Sequence, residues 1–390
     1  MDNPIKIWRE LREIYLKYID SGLPLAHKKL TKERRSLYEQ GLAICQPPII
    51  ELVPAYKEDT TLTQVCQENS HDLTPDLAAF AKCGLFPDTA GKERKLYKHQ
   101  KEAIQYAVKK NIQQRKHIIA TTGTGSGKTE CFLLPVIADL INESQNWKQT
   151  RTRAVRTLIL YPLNALAEDQ MIRLRKSLNS DEARNWLNNN RGGHRFYFGR
   201  YTGKTDTSGL KTDSRKQANR IKKDEHITAW KAAKEAHAQA PERGLIYHVT
   251  NMEPDTAELW DRWTMQETPP DILITNYSML NIMLFRKQEK TTFQQTRQWL
   301  DEDENNIFHL VIDEMHTYRG TAGTEVAYLL RLLLDKLGRH PNHKQIQFLA
   351  SSASMQENEK TEEYLTSFFG VEKTTTPKNS DYSPIHPTHP

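Results

Sequence analysis

The chain has 390 residues, enough for about two or three domains, and its 55 Lys and Arg against 49 Asp and Glu give a net charge of +6. No apolar run approaches the ~20 residues of a membrane span, and the first residues lack the pattern of a signal peptide. The four cysteines are too widely spaced to predict a zinc site or a disulfide framework. We therefore expect a cytoplasmic globular protein without a membrane partner, whose modest positive charge is compatible with a polyanionic ligand.

Three segments are predicted from changes in composition. Residues 1–85 predict a separate helical arm, because apolar residues recur with a helical period over residues 5–18 and a second charged helix is predicted over residues 30–42. Residues 86–360 carry all the motifs that predict chemistry. Within them, residues 204–250 predict a charged helical insertion, and residues 361–390 predict a polar tail or linker rich in Thr, Pro and His.

A glycine-rich stretch between an apolar strand and a predicted helix is the strongest motif. Its residues are Thr122, Gly123, Thr124, Gly125, Ser126, Gly127, Lys128 and Thr129. Glycines let several backbone N–H groups point at one anion, a lysine reaches the β- and γ-phosphates, and a hydroxyl holds Mg²⁺. The strict P-loop pattern has glycine where this chain has Thr122. A plain glycine turn is the alternative, but it does not require Lys128 and Thr129 at the mouth of a helix.

Further polar residues follow predicted buried strands, where ligand sites in open α/β sheets lie. The strand at residues 157–161 leads to Pro162, Asn164 and Ala165, which suit close approach of a phosphate backbone, although Asn164 alone is equally a helix N-cap. A second glycine-bracketed loop contains Thr202 and Gly203. The charged segment that follows, residues 204–243, has ten Lys and Arg against six Asp and Glu, which indicates a solvated helix or a nucleic-acid contact.

Two adjacent carboxylates follow the apolar strand at residues 308–312. Asp313 is suited to hold Mg²⁺ through water, and Glu314 to polarise the water that attacks the γ-phosphate. Adjacent carboxylates are usually surface charges, but a buried strand in a P-loop protein makes that alternative weaker. Serines 351, 352 and 354 follow the next apolar strand, where their hydroxyls would sense the occupied site.

Together these motifs resemble the first RecA-like lobe of a superfamily 2 DExH/DEAD-box helicase. The resemblance covers residues 90–360, and in that superfamily the first P-loop position is commonly Ala or Thr. It implies an α/β fold, a RecA-like, doubly wound and mostly parallel sheet, preceded here by a small helical N-terminal arm. Residues 313–320, followed by Gly323 and Arg331, are similar to the YprA-like mitomycin-repair DNA helicases and to large anti-phage defence helicases.

The resemblance also implies roles and ligands for single residues. ATP and Mg²⁺ are the implied cofactors, with Tyr97 among the nucleotide-binding residues, Gln100 at the adenine, and Thr129 and Asp313 at the metal. Lys128, Asp313 and Glu314 are the implied catalytic residues, and the predicted coupling residues are His316, Ser352 and Ser354. The predicted nucleic-acid contacts are Pro162, Asn164, Ala165, Thr202, Gly203, Asn276 and Tyr277.

Such helicases have a second RecA-like lobe, whose arginines complete the ATP site. We expect this chain to be a fragment, a truncated product or one subunit of a split helicase. We therefore expect weak hydrolysis, or none, without the missing lobe or a partner subunit, and DNA rather than RNA as the nucleic acid. A non-enzymatic binding or regulatory module built on a helicase lobe is the alternative, and a P-loop ATPase unrelated to nucleic acid is a third.

Overall fold

The computed structural model describes residues 3–40, 56–88, 91–123, 125–148, 151–353, 355, 359–371 and 382–385. These residues fall into two compact units, residues 1–55 and residues 56–390. The predicted sites Thr124 and Ser354 lie outside the described residues, and so does the side chain of Ala165.

The first unit is a pair of helices, α1 (Pro4–Gly22) and α2 (Lys28–Gln40). The side chain of Asn3 accepts a hydrogen bond from the backbone N–H of Ile5 and caps α1. Arg34 and Arg35 both donate to the carboxylate of Asp20, over 2.7 and 2.6 Å, and so tie α2 to the end of α1. The predicted small helical arm is therefore present at the N-terminus.

The second unit is built on one parallel sheet. Its strands are β3 (His117–Ala120), β4 (Thr157–Leu160), β5 (Phe198–Tyr201), β6 (Glu258–Leu259), β7 (Ile272–Thr275), β8 (Phe308–Ile312), β9 (Ile346–Ser351) and β10 (Tyr382–Ile385). Across the described residues the strand order is β10-β3-β9-β8-β4-β7-β5-β6, and the pairings are all parallel. A separate antiparallel pair joins β1 (Glu58–Thr61) to β2 (Lys95–Tyr97).

Helices cover the sheet. They are α3 (Leu62–Glu68), α4 (Pro75–Lys82), α5 (Lys98–Ala107), α6 (Lys128–Ser144), α7 (Asn164–Leu178), α8 (Asp181–Asn190), α9 (Asp213–Gln239), α10 (Arg262–Glu267), α11 (Tyr277–Phe285), α12 (Lys290–Glu302), α13 (Gly320–Lys336) and α14 (Glu359–Phe369). Among the described helices, not one is both long enough and apolar enough to span a membrane.

Strand side chains alternate between two hydrophobic cores, one on each face of the sheet. Ile118 and Val311 pack in one core with residues of α4, α5 and α6, whereas Ile119 and Leu310 pack in the other with residues of α11, α12 and α13. Because successive side chains of a strand point to opposite faces, this alternation requires helices on both sides of the sheet. The predicted doubly wound α/β fold is confirmed.

The two outer boundaries differ from those expected from the sequence. Leu62, Val65 and Phe80, which the sequence analysis grouped with the arm, are buried in the first core of the second unit. At the other end, Phe368 and Phe369 of α14 are buried in the second core, and backbone pairing places β10 beside β3. Composition missed these segments because a few buried side chains suffice to anchor a short element of polar sequence.

Candidate nucleotide and nucleic-acid site

The carboxyl ends of five neighbouring strands meet at one edge of the sheet. Ala120 of β3 pairs with Ser351 of β9, Ile312 of β8 pairs with Ala350 of β9, and Leu160 of β4 pairs with both Ile312 and Thr275 of β7. The loops that follow these strands carry the glycine-rich loop, the paired carboxylates and most of the predicted nucleic-acid residues. The register alone therefore gathers most of the predicted site at the edge where ligands bind in open α/β sheets.

Helix α5 holds the glycine-rich loop in place. Gly125 and Gly127 have φ of +80° and +75°, a backbone conformation that glycine adopts without strain. The Nε2 atom of His99 lies 2.8 Å from the carbonyl oxygen of Ser126, and the Nε2 amide of Gln100 donates to the carbonyl of Gly127 over 3.1 Å. These contacts occupy the carbonyl groups of Ser126 and Gly127, and the N–H groups of such a loop suit an anion.

Gln100 is the predicted adenine reader, and its carboxamide binds the protein's own backbone at both ends. Besides the bond to Gly127, its Oε1 accepts from the N–H of Tyr97 over 2.9 Å, and the side chain is 1% exposed. Gln100 thus connects the start of α5 to the loop, and contact with adenine stays a prediction for it.

An aromatic cluster beside the loop was not foreseen from the sequence. The rings of Tyr97 and His99 stack at 5.6 Å, and Tyr56 lies 5.7 and 5.6 Å from them. Burial lowers the pKa of His99, so this ring is neutral at pH 7. Tyr97 and Tyr56 are only half-buried, and they offer flat surfaces for a nucleotide base.

The paired carboxylates face the P-loop lysine. Oε1 of Glu314 lies 3.9 Å from Nζ of Lys128, and Oε2 of Glu314 lies 3.2 Å from Nδ1 of His316. The backbone N–H of Glu314 donates to Oδ1 of Asp313 over 3.0 Å, and the Ser351 hydroxyl donates to the same oxygen. Glu314 has φ +50° and ψ +47°, a left-handed conformation that is uncommon for a residue with a side chain.

The donor set fits a nucleotide triphosphate with its metal. Nζ of Lys128 is buried and has no hydrogen-bond partner among the described residues. A buried ammonium that makes no hydrogen bond is costly and suits an anionic ligand beside the loop N–H groups. Within the same described residues, no three His, Cys, Asp or Glu side chains converge as in an all-protein metal site. Mg²⁺ needs no such cage, since one or two carboxylates with phosphates and water suffice, and Asp313 with Thr129 meets that requirement.

Ser351, the last residue of β9, and the following Ser352 connect the carboxylates to the P-loop strand. The backbone N–H of Ser352 donates to the carbonyl of Ala120 over 2.9 Å, while its hydroxyl is buried and has no hydrogen-bond partner in the described part of the chain. Ser351, rather than Ser352, contacts Asp313. A coupling role for Ser352 and His316 stays a prediction.

Two buried tyrosines beside Asp313 were also missed. Tyr161 and Tyr318 are 0% and 3% exposed. Burial first, and then the charge of Asp313, raises the pKa of Tyr161 far above its ordinary value and raises that of Tyr318 in the same way. Tyr161 immediately precedes the predicted nucleic-acid residue Pro162, so it connects that loop to the carboxylate pair. The sequence alone does not distinguish a tyrosine that contacts a functional residue from one that only packs in the core, so Tyr161 could not be predicted.

Two asparagines of the predicted nucleic-acid face bind each other. Nδ2 of Asn276 donates to Oδ1 of Asn164 over 2.9 Å, and Oδ1 of Asn276 accepts from the N–H of Met279 over 2.8 Å and caps α11. Asn164 is the first residue of α7. The pair therefore fixes the starts of two helices, whose N-terminal N–H groups favour phosphate.

The other predicted contacts differ in accessibility. Tyr277 is 43% exposed, Gly203 is exposed and Pro162 is half-buried. Thr202 is completely buried, because its N–H bonds to the Thr205 hydroxyl and its carbonyl accepts from Arg262. The structure thus places the Thr202 side chain inside the loop, while the neighbouring Gly203 is open to a strand of nucleic acid.

A cavity of about 840 Å³ lies at the opposite edge of the sheet, where β4 and β8 begin. Two arginines of its lining are held by carboxylates. Arg156 donates to both Glu143 and Asp271, and Arg151 donates to Asp271. These ion pairs link distant parts of the chain and have a structural role. The candidate site is therefore the edge at the carboxyl ends of the strands.

Comparison with known proteins agrees with this geometry. Residues 97–201 match the family model described as DEAD/DEAH box helicase. The matched segment runs from Tyr97 through the glycine-rich loop and β4 to the end of β5. The resemblance to superfamily 2 helicases that the order of the motifs indicated is therefore confirmed over this segment.

Individual relatives point to the same class. The chain is 31% identical over 406 aligned residues to the Druantia protein DruE of Escherichia coli (strain UMEA 4076-1), which covers 95% of this chain and 21% of the relative. It is 26% identical over 238 residues to the uncharacterized ATP-dependent helicase YprA of Bacillus subtilis (strain 168), covering 61% of this chain and 20% of the relative. The chain thus spans about a fifth of the length of these relatives.

Among solved structures, one similar chain is the DUF1998 helicase MrfA bound to DNA and AMPPNP. The TM-score is 0.44 at 20% identity, and the match covers 82% of this chain and 30% of that chain.

Proposed function

We propose that this chain is the ATP-binding lobe of an ATP-dependent DNA helicase or translocase, which couples ATP hydrolysis to movement on nucleic acid. The observation that carries the proposal is the buried Nζ of Lys128 at the mouth of a glycine-rich loop, which faces Glu314 at 3.9 Å and has no hydrogen-bond partner among the described residues. The chain's similarity to DruE and to YprA-like helicases supports the same branch. A role in anti-phage defence or DNA repair, in the cytoplasm, is part of the proposal.

The chain's own residues divide the work at the ATP site. The N–H groups of the loop and Lys128 bind the polyphosphate, and Thr129 and Asp313 hold the metal. Bound Mg²⁺–ATP supplies the phosphoanhydride bond whose cleavage drives movement. Glu314 accepts a proton from the attacking water, and its backbone bond to Asp313 sets the direction of its carboxylate. His316 contacts the Glu314 carboxylate. A movement of the segment that follows His316 would therefore be transmitted to Glu314 through this contact.

The nucleic-acid strand runs across the starts of α7 and α11 and the loop after β5. Asn164 and Asn276 orient the helix starts, and Tyr277 offers an exposed ring. DNA is favoured over RNA because residues 313–320 resemble a branch of DNA helicases. A second RecA-like lobe completes the ATP site in this proposal, since an arginine from across the cleft stabilises the charge that develops during phosphoryl transfer. The lobe alone is then a weak ATPase.

The test compares wild type with Glu314→Gln for ATP binding and for hydrolysis in a single turnover, with DNA and a second-lobe polypeptide supplied. Glu314→Gln is expected to keep ATP binding and to lower hydrolysis by about 10² or more. Glu325→Gln is the matched control, because Glu325 is an exposed carboxylate on α13. Equal behaviour of wild type and Glu314→Gln would instead favour the non-enzymatic module. Vigorous DNA-stimulated turnover by the chain alone would contradict the need for a second lobe.

A further inference from the structure

Helix α9 presents a line of basic side chains that the site described above does not use. Lys216, Arg220, Lys223 and Lys231 are all exposed, and their spacing of four, three and eight residues places them on one face of the helix. The line is about 22 Å long at 1.5 Å per residue. Over its whole 27 residues, α9 has no buried side chain, so core packing does not explain why these cations lie in a row.

Most of the line has no acidic counterpart. Lys216 is 3.0 Å from Asp213, but Arg220, Lys223 and Lys231 form no ion pair with any described carboxylate. Arg220 follows Lys216 by four residues and precedes Lys223 by three. Like charges at these spacings destabilise a helix. A polyanion bound along the line would remove that repulsion.

Among the acidic residues of α9, Asp213 lies on the face of the basic line and pairs with Lys216, whereas the other three lie elsewhere around the helix. Glu225 pairs with Lys222 at 2.6 Å. Asp224 and Glu235 are exposed, and they lie to one side of the basic line, about 60° and 80° from its mean direction at 100° per residue. They flank the line on that side and leave the other side without acidic residues from α9.

Contacts on a neighbouring face hold α9 beside the predicted nucleic-acid loop. Nε2 of His226 lies 2.9 Å from Oδ2 of Asp206, and the His226 ring packs edge-on against Trp260 at 5.2 Å. Arg262 then joins Asp206 to Thr202: its N–H donates to the carbonyl of Asp206 over 3.2 Å, and its guanidinium donates to the carbonyl of Thr202 over 2.7 Å. The middle of α9 is therefore anchored four residues from the Thr202–Gly203 loop.

We propose that the basic line of α9 is an auxiliary binding site for the phosphate backbone of the nucleic acid on which the lobe acts. This inference rests on the proposed function, because it requires nucleic acid at the loop after β5. The line carries no aromatic side chain, so it reads no base. It adds affinity through phosphate contacts, independently of sequence and of ATP.

The test is equilibrium binding of the full chain to single-stranded DNA, duplex DNA and RNA over a range of salt concentrations. The variant Arg220→Gln, Lys223→Gln, Lys231→Gln is expected to bind at least about tenfold more weakly, and its salt slope should fall by about 2 to 3, one for each lost phosphate contact. The charge-preserving variant Arg220→Lys, Lys223→Arg, Lys231→Arg should keep wild-type affinity and slope. The nucleic acid whose affinity falls most in the glutamine variant is the one that α9 binds.

The matched control is Lys110→Gln, Lys148→Gln, Lys344→Gln, which changes the net charge equally near the opposite edge of the sheet. It should bind nearly as well as wild type. An unchanged affinity and slope in the α9 variant, or an equal loss in the control, overturns this inference and leaves the proposed function standing. Absence of salt-dependent binding by the wild type would overturn both. Circular dichroism and the unfolding temperature show that each variant is folded.

Discussion

Lys128 and Glu314 hold each other across the candidate ATP site, with Nζ 3.9 Å from Oε1. Both side chains are largely shielded, at 10% and 27% exposure. The cation predicted to bind phosphate is thus neutralised by the carboxylate predicted to activate water. An incoming polyphosphate competes with Glu314 for the same ammonium.

This competition predicts that Glu314→Gln binds a non-hydrolysable ATP analogue more tightly than wild type does. The pair contributes about 0–1 kcal/mol, so the gain is at most about fivefold. Titration calorimetry measures it. Asp313→Asn, which removes a carboxylate predicted to hold Mg²⁺, should lose the Mg²⁺-dependent part of the affinity instead. Weaker binding by Glu314→Gln would show that the pair does not oppose the ligand.

Gln100 should prove to be a structural clamp of the P-loop. Gln100→Glu keeps an acceptor for the Tyr97 N–H but sets a second oxygen against the Gly127 carbonyl, in a position that is 1% exposed. We expect a loss of about 2 kcal/mol or more in the free energy of unfolding, together with weaker ATP binding. Chemical denaturation measures the first. Gln113→Glu, at an exposed site, should change neither quantity, and a stable Gln100→Glu variant would contradict the clamp.

Gly127→Ala separates backbone strain from steric conflict. Gly127 and Gly91 have φ of +75° and +74°, so alanine costs about 1–2 kcal/mol at either position. A Cβ at Gly127 would also lie 2.3 Å from Nε2 of Gln100, whereas at Gly91 it would meet no described atom within 4 Å. Unfolding measurements should show the larger loss at Gly127, and only there should nucleotide binding fall. Equal losses would mean that Gln100 moves aside freely.

Asn276→Asp should separate stability from nucleic-acid binding. Aspartate still accepts from the Met279 N–H and favours the start of α11, but it cannot donate to Asn164 and it repels phosphate. The unfolding temperature should therefore stay near that of wild type while DNA affinity falls several-fold. Asn111→Asp places the same charge at another capping position, where the side chain accepts from the Gln113 N–H, and should leave DNA binding intact. Unchanged DNA binding in Asn276→Asp would remove this loop from the interface.

His117 should make the fold sensitive to acid. Burial lowers its pKa from 6.5 to about 4, and its Nδ1 accepts from the Phe348 N–H over 3.1 Å. Above pH 6.5 neither folded nor unfolded chain is protonated at His117. Between pH 6.5 and about pH 4, His117 is protonated in the unfolded chain but not in the folded chain. The free energy of unfolding therefore falls by about 3 kcal/mol as the pH is lowered through this range.

Denaturation of His117→Gln between pH 7 and pH 4 tests this assignment, because glutamine offers an acceptor without titrating. Its stability should depend less steeply on pH than that of wild type. Some dependence should remain, since burial also lowers the pKa of His99. Identical pH profiles for the two proteins would contradict the assignment.

The sequence predicted the elements that have a strong local pattern. Apolar runs such as residues 308–312 predicted buried parallel strands, and parallel strands bring Lys128, Asp313 and Asn276 to one edge whatever the details of packing. The roles of these residues stay predictions. Contacts between residues distant in the chain were not predictable: Gln100 binds a carbonyl 27 residues away, and Thr202 is buried by Arg262, 60 residues further on. Neither hydrogen bond can be predicted from residue spacing or composition.

The left-handed backbone of Glu314 sets stability against activity at a single position. Glycine would adopt this conformation without the strain of about 1 kcal/mol or more that a side chain incurs there. Glu314→Gly should therefore yield a more robust fold that no longer hydrolyses ATP. Stabilisation of this lobe that relieves positive-φ strain would select the substitution that removes the proposed water-activating carboxylate, so position 314 must be held constant in any such engineering.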